Sequence, residues 1–146
     1  MWRRVVFQDI TERKRAEVIQ RNLASDRDNL LHRLALQINR MPLAYVLFDS
    51  DLRVVDWNPA AERIFGYRKE EVLGMEPPFE KITPQAFWAQ VDEILRRIRS
   101  GDMSAHSVND NLTKDGRTIT CEWINTPLEF EDGRFSGLMC LCHDVT

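Results

Sequence analysis

Long hydrophobic runs are missing from this chain. No stretch approaches the roughly 18 apolar residues that a membrane-spanning helix requires, and Met1-Trp2-Arg3-Arg4 is not followed by the apolar core of a signal peptide. Direct membrane insertion is therefore not expected. Cysteine is scarce as well: Cys121, Cys140 and Cys142 make an odd set without the CxxC spacing of a zinc or redox pair. That usage fits a reducing, cytoplasmic setting. An excess of charge of one sign is also lacking, since 20 Lys and Arg stand against 23 Asp and Glu and are mixed along the chain. A nucleic-acid partner or an anionic membrane surface would call for a basic patch, and none is present. No phosphate-binding glycine loop, metal-ligand set or nucleophile–base motif can be assembled, so the sequence offers no catalytic residue and no metal site.

What is present is enough for one core. A chain of 146 residues with 43% apolar content predicts one globular domain with an appendage. The two ends echo each other: Phe7-Gln8-Asp9-Ile10-Thr11 matches Cys142-His143-Asp144-Val145-Thr146, and each follows a strand-like run, Val5-Val6-Phe7 and Phe135 to His143. Residues 1–11 are accordingly read as the tail of an upstream repeat. Residues 12–41 hold neither proline nor glycine and are rich in helix formers, which predicts one long helical linker of about 45 Å. Ala16, Ile19, Leu23 and Leu30 lie on a heptad-like seam broken by Asp26, and Leu34, Ile38 and Met41 continue on a shifted stripe. The seam predicts a parallel homodimer through a coiled coil, and the later stripe predicts cover for apolar residues on the outer sheet face such as Leu138, Cys140 and Cys142.

Pro42 ends the linker, and residues 42–146 read as the domain. Two short strand patterns, Ala44 to Phe48 and Arg53 to Trp57, flank the turn signal Asp49-Ser50-Asp51. Asn58-Pro59 is a helix start, with Asn58 as N-cap and Pro59 at a position that needs no N–H. Short helices follow up to Gly66 and Gly74, then a longer amphipathic one from Thr83-Pro84 to Gly101 with Phe87, Val91, Ile94, Leu95 and Ile98 on one face. Three strands, Ser104–Leu112, Arg117–Leu128 and Phe135–His143, are joined by Lys114-Asp115-Gly116 and Glu131-Asp132-Gly133 into an antiparallel meander. The predicted class is α+β, with the central helices on one face of an antiparallel sheet and a long helix in front.

These motifs, in this order, resemble the PAS family, in particular its bacterial sensory branch. Asp56-Trp57-Asn58-Pro59-Ala60-Ala61-Glu62-Arg63-Ile64-Phe65-Gly66-Tyr67 looks like the entry to the first PAS helix, and Glu70-Glu71-Val72-Leu73-Gly74 like the turn after it. Thr113-Lys114-Asp115-Gly116, Thr126-Pro127-Leu128, Glu131-Asp132-Gly133 and Gly137 through His143-Asp144-Val145-Thr146 complete the pattern, so the resemblance runs from Leu43 to Thr146. It implies a five-stranded antiparallel sheet whose helices cradle a cavity, and tandem PAS modules joined to an output domain such as a histidine kinase of a two-component system or a cyclase. The fragment itself is expected to be non-catalytic.

By the same resemblance, the ligand is unknown but constrained. Haem is not expected, because the long helix offers no histidine and His106 reads as a solvated strand residue. A cysteinyl-flavin adduct is not expected either, because Met75-Glu76-Pro77-Pro78-Phe79-Glu80-Lys81 contains no cysteine. Non-covalent flavin and small metabolites stay open. Comparison with PAS relatives points Asn109 and Asn111, then Cys121, Trp123 and Asn125, then Met139 and Leu141 into the cavity from the third, fourth and fifth strands. Three inward asparagines either pair near strand ends with turns and water or offer donor–acceptor edges to a ligand, with Trp123 as a stacking face. The expected function is a sensory module that binds a small ligand or partner and relays the change through sheet and linker; the competing expectation is a ligand-free dimerisation module with a filled core.

Overall fold

The computed structural model describes residues 2–76, 79–101, 105–129 and 132–146, with residues 2–10 described by their backbone alone. The chain divides into a helical unit that ends at Gln37 and a compact unit from Ile38 to Thr146.

Helix α1 spans Trp2–Arg40. Val5-Val6-Phe7 is thus helical, not the strand expected from its apolar run. A run of three apolar residues has no period that tells helix from strand, and no glycine or proline stops the helix from propagating through it. In the helical unit, Ile19, Leu23, Leu30, Leu31 and Leu34 are each more than half exposed, at 54% to 63%.

In the compact unit the elements run β1 (Ala44–Asp49), β2 (Val54–Trp57), α2 (Pro59–Phe65), α3 (Lys69–Val72), a 3₁₀ turn (Gln85–Phe87), α4 (Trp88–Arg99), β3 (His106–Leu112), β4 (Thr118–Glu129) and β5 (Phe135–Asp144). The five strands form one antiparallel sheet in the order β2-β1-β5-β4-β3. The amphipathic helix therefore starts at Trp88 and not at Pro84, because the first turn tightens into 3₁₀ geometry and the Trp88 indole donates to the Thr83 carbonyl at 2.9 Å. Ser104, Pro77, Pro78 and Glu131 of the sequence reading lie outside the described residues.

Asn58 locks the first half of the domain together. It is 2% exposed, and its Oδ1 accepts from Ala61 N–H and Tyr45 N–H, each at 2.9 Å, which caps α2 and holds β1. Its Nδ2 donates to the carbonyls of Ile38 at 2.9 Å and Leu43 at 3.0 Å. Helix α2 then stops at Gly66, whose φ of 83° is a left-handed C-cap that other residues adopt only with strain. Buried aromatic rings fill the space above: Phe65 lies 5.4 Å from Trp57 and 5.9 Å from Trp123 between centroids. Full burial of a side chain such as Phe65 is worth roughly 1.5–3 kcal/mol.

One register expectation is overturned. Leu138, Cys140 and Cys142 are 0%, 3% and 0% exposed and share the inner face with Phe48, Val46 and Ala44, their partners in β1. Met139 and Leu141 lie on the other face, half-buried opposite Leu47 and Tyr45. Every residue from Leu138 to Cys142 is apolar, so alternation carries no phase there, and a one-residue error swaps the two faces. Gly137 sets the phase physically: a Cβ on it would stand 2.5 Å from the Phe48 carbonyl oxygen, so only glycine lets β5 approach β1 here.

Candidate functional site

A small cavity of about 50 Å³ lies between the inner face of β3–β5, helix α4 and the segment around Phe79–Thr83. A single water needs roughly 10–15 Å³ on this measure, so the space suits a few waters or a small fragment. Pockets that hold drug-sized ligands are commonly about 300–1,000 Å³; a flavin or haem does not fit this conformation. Leu138, Cys140, Ile94 and Leu95 supply apolar wall, and none of the lining residues is charged or a histidine.

Asn109, Asn111, Trp123 and Asn125 line the cavity, where the sequence reading puts them. Cys121 points inward, fully buried, without lining it, and Met139 and Leu141 are on the outer face. The asparagines are not equivalent. Asn111 Oδ1 accepts from the Trp123 indole at 3.0 Å and from Asn109 Nδ2 at 3.3 Å, and its Nδ2 donates to the Ile82 carbonyl at 2.8 Å. Asn109 Oδ1 in turn accepts from the Ser107 hydroxyl at 3.3 Å. Asn111 has thus spent its amide on the fold: it ties β3 to the segment before α4, where Leu112 N–H also meets Ile82 O at 2.9 Å.

Asn125 differs. Its backbone N–H reaches Ala105 O at 3.0 Å, but among the described residues its side-chain amide makes no hydrogen bond, and neither does the Thr83 hydroxyl. No sealed side-chain nitrogen or oxygen is left unpartnered, so both groups open onto free space, and both line the cavity. An amide and a hydroxyl are left facing an uncharged, largely apolar chamber, an arrangement that suits recognition of a small polar molecule. Trp123 has one face against Phe65, stacked at 17°.

The sequence reading counts Phe48 and Phe79 among the bulky side chains that could fill the cavity, and it misses Ile82, Thr83 and Ser107 as lining residues. Ser107 carried a usable signal, since it has the same alternation as Asn109 and Asn111; Phe79 and Ile82 sit in irregular backbone where no period applies. Cys140 also lines the cavity, and burial holds its thiol protonated well above the usual cysteine range. Cys142 is raised too, first by its hydrogen bond with Cys121 and then by burial. His106 is exposed and meets Glu122 at 2.8 Å, away from the cavity. Among the described residues no group of three or more His, Cys, Asp or Glu side chains is placed to hold a metal ion, and no helix is long and apolar enough to cross a membrane.

Comparison with known proteins agrees with this architecture. The chain is 26% identical over 117 residues to the probable diguanylate cyclase DgcE of Escherichia coli K12, a match that takes in 78% of this chain and only 10% of that protein. Among solved structures it is similar to a PAS domain from Colwellia psychrerythraea, with a TM-score of 0.72, 21% identity and coverage of 80% of this chain and 98% of that one. It is also similar to an RNA-binding light-oxygen-voltage receptor, with a TM-score of 0.70, 28% identity and coverage of 80% and 33%. The PAS fold family matches residues 32–145. With five strands in the order β2-β1-β5-β4-β3 and a helix-covered cavity, the chain belongs to the PAS fold family.

Proposed function

We propose that this chain is a sensory PAS module that admits a small uncharged molecule to the cavity and passes the change to an output domain through its sheet and α1. The observation that carries this reading is a pair of polar groups without a partner among the described residues, the Asn125 amide and the Thr83 hydroxyl, in a chamber otherwise walled by apolar and internally bonded side chains. Both groups open onto the cavity, so a ligand can hydrogen-bond to them without breaking a bond of the fold. The uncharged lining argues against a charged metabolite, which would lose its hydration without compensation.

Relay requires that ligand and output be energetically coupled, so that the ligand prefers one of two arrangements. The Asn58 contacts supply a physical route, because the same side chain touches Ile38 at the end of α1, Tyr45 in β1 and Ala61 in α2. Ala16, Ile19, Leu23 and Leu30 form the seam of a parallel homodimer in this reading, and the similarity to DgcE favours a cyclase over a histidine kinase as the output. A cytoplasmic location and neighbouring PAS modules belong to the same proposal, and no chemistry is assigned to the fragment itself.

The smallness of the cavity favours a second reading, a ligand-free interaction module whose core is filled by Phe48, Phe79 and Trp123. A melting-temperature screen against uncharged metabolites, run in parallel on the wild type and on Asn125→Leu, separates the two. Compounds that raise the wild-type midpoint by several degrees and leave the variant unmoved support the sensor. A screen that moves neither protein supports the filled-core module.

A further inference from the structure

We infer that the Phe79 ring is a displaceable plug, and that the molecule which takes its place is a single uncharged aromatic ring with a hydrogen-bond donor and acceptor on one edge. The inference rests on the cavity reading above and deepens it.

Phe79 has a φ of 56°, a left-handed conformation that a bulky residue adopts only when its surroundings impose it. The imposition is visible. Its N–H donates to Glu76 O at 3.2 Å, and its carbonyl accepts from Ile82 N–H and Thr83 N–H, each at 2.9 Å. The backbone is pinned by hydrogen bonds, whereas the ring is held by packing alone. The ring is half-buried, stacked on Phe48 at 5.1 Å with 21° between planes. It stands between two voids, the 50 Å³ cavity and a second of about 10 Å³, and Phe48, Phe79, Ile82 and Trp123 line both. Turning the ring out toward solvent joins the two voids and adds the volume the ring had occupied.

The vacated space has a defined chemistry. Its inner wall is the face of Phe48 that Phe79 had covered, which suits another flat ring in offset stacking. Within the joined chamber the groups without a partner among the described residues are the Asn125 amide, a donor and an acceptor side by side, and the Thr83 hydroxyl. No residue that lines either void is charged. Because the voids alone are small, most of the ligand's bulk must equal that of the ring it displaces, which limits it to about one ring. The closed state is held by the stack on Phe48 and by packing, with no hydrogen bond to break, so a ring that replaces those contacts can shift the equilibrium toward the open state.

The test uses the whole chain as wild type, Phe79→Ala and Phe79→Gly, with benzamide as probe and benzoate as its charged isostere, by calorimetric titration. Opening the plug costs the wild type a fraction of its competent population, and removal of the ring abolishes that cost. Both variants are expected to bind benzamide at least about tenfold more tightly than the wild type, with benzoate bound by none of the proteins. Equal benzamide affinity in all three would overturn the plug and leave the cavity reading standing, whereas no benzamide binding by any folded protein would overturn the single-ring ligand, the cavity reading then resting on the metabolite screen. Benzoate binding on a par with benzamide would overturn the uncharged-ligand assignment. Glycine removes the backbone strain along with the ring, so loss of the circular-dichroism signature of the fold in both variants would make Phe79 a structural core residue and end the proposal.

Discussion

The side-chain nitrogen of Asn58 donates to the carbonyl of Ile38 at 2.9 Å, so the residue that caps α2 also holds the last turn of α1. Because Asn58 makes two bonds as donor and two as acceptor in a site 2% exposed, it does more than an ordinary N-cap. Asn58→Ala removes the cap and strands Tyr45 N–H and two carbonyls. The expected loss is roughly 3–5 kcal/mol, above the usual 0.5–2 kcal/mol for a cap alone. Asn58→Asp keeps the acceptor but sets a carboxylate against two carbonyl oxygens and should fall nearly as far. Urea unfolding midpoints decide this, and a loss under 1 kcal/mol for Asn58→Ala would reduce the residue to a simple cap.

The cavity asparagines should separate cleanly. Asn111→Leu leaves the Trp123 indole and the Ile82 carbonyl without their partner and should cost about 2 kcal/mol or more. Asn125→Leu breaks no side-chain hydrogen bond among the described residues and should leave the unfolding midpoint unchanged or raised. If the two variants lose stability equally, the distinction between a structural and a free amide is wrong.

Gly137→Ala places a methyl 2.5 Å from Phe48 O, on backbone that cannot yield without parting β5 from β1. A loss of roughly 2 kcal/mol or more, with native helix content retained, is the expected result by thermal unfolding. An unchanged melting temperature would mean that the β1–β5 register is not as described.

Alkaline pH should weaken the fold. Cys142, Cys140 and Tyr45 all have folded-state values raised above those of the unfolded chain: Cys142 first by its hydrogen bond with Cys121, and Cys140 and Tyr45 first by burial. Below the unfolded thiol value of about 8.5 all three are protonated in both states and the stability is intact. As the pH rises past that value, the unfolded chain ionises and the native state does not, so stability falls with pH. Unfolding midpoints measured from pH 7 to 10 should decline beyond about pH 8.5, and Cys140→Ala with Cys142→Ala should flatten the decline. A flat wild-type profile over that range would contradict the burial of the thiols.

The dimer seam has its own test. Ile19 and Leu23 are 58% and 63% exposed, so Ile19→Glu with Leu23→Glu should lower the sedimentation mass toward that of one chain without loss of the domain's melting transition. An unaltered dimer would place the seam elsewhere, and a wild type monomeric at micromolar concentration would leave α1 a tether.

How much of this was legible beforehand depended on whether a residue type had only one physical use at its position. Asn58-Pro59 announces a helix start because proline lacks the N–H that the first turn leaves free, and Asn58 indeed caps α2. Glycine at Gly66 and Gly116 marked its turns for the same reason, both having positive φ. The strands of the meander were readable from β-rich runs between turns; the two-residue period grouped Asn109 with Asn111 and Trp123 with Asn125, and only the resemblance to PAS domains pointed those faces inward. Where both faces are apolar, as in β5, alternation is silent, and Met139 and Leu141 were assigned to the wrong side. The second acceptor bond of Asn58, the pairing of Asn111 with Trp123 and the position of the Phe79 ring depend on contacts between segments far apart in sequence, which no local pattern encodes.

Native mass spectrometry of the chain, before and after incubation with the small-molecule fraction of a cell extract, tests the sensory account most directly. The wild type should carry one bound species lighter than a flavin, and Asn125→Leu, equally folded, should carry none. The bare chain mass in every preparation, with the extract present in excess, would contradict a ligand-binding sensor and leave the filled-core interaction module.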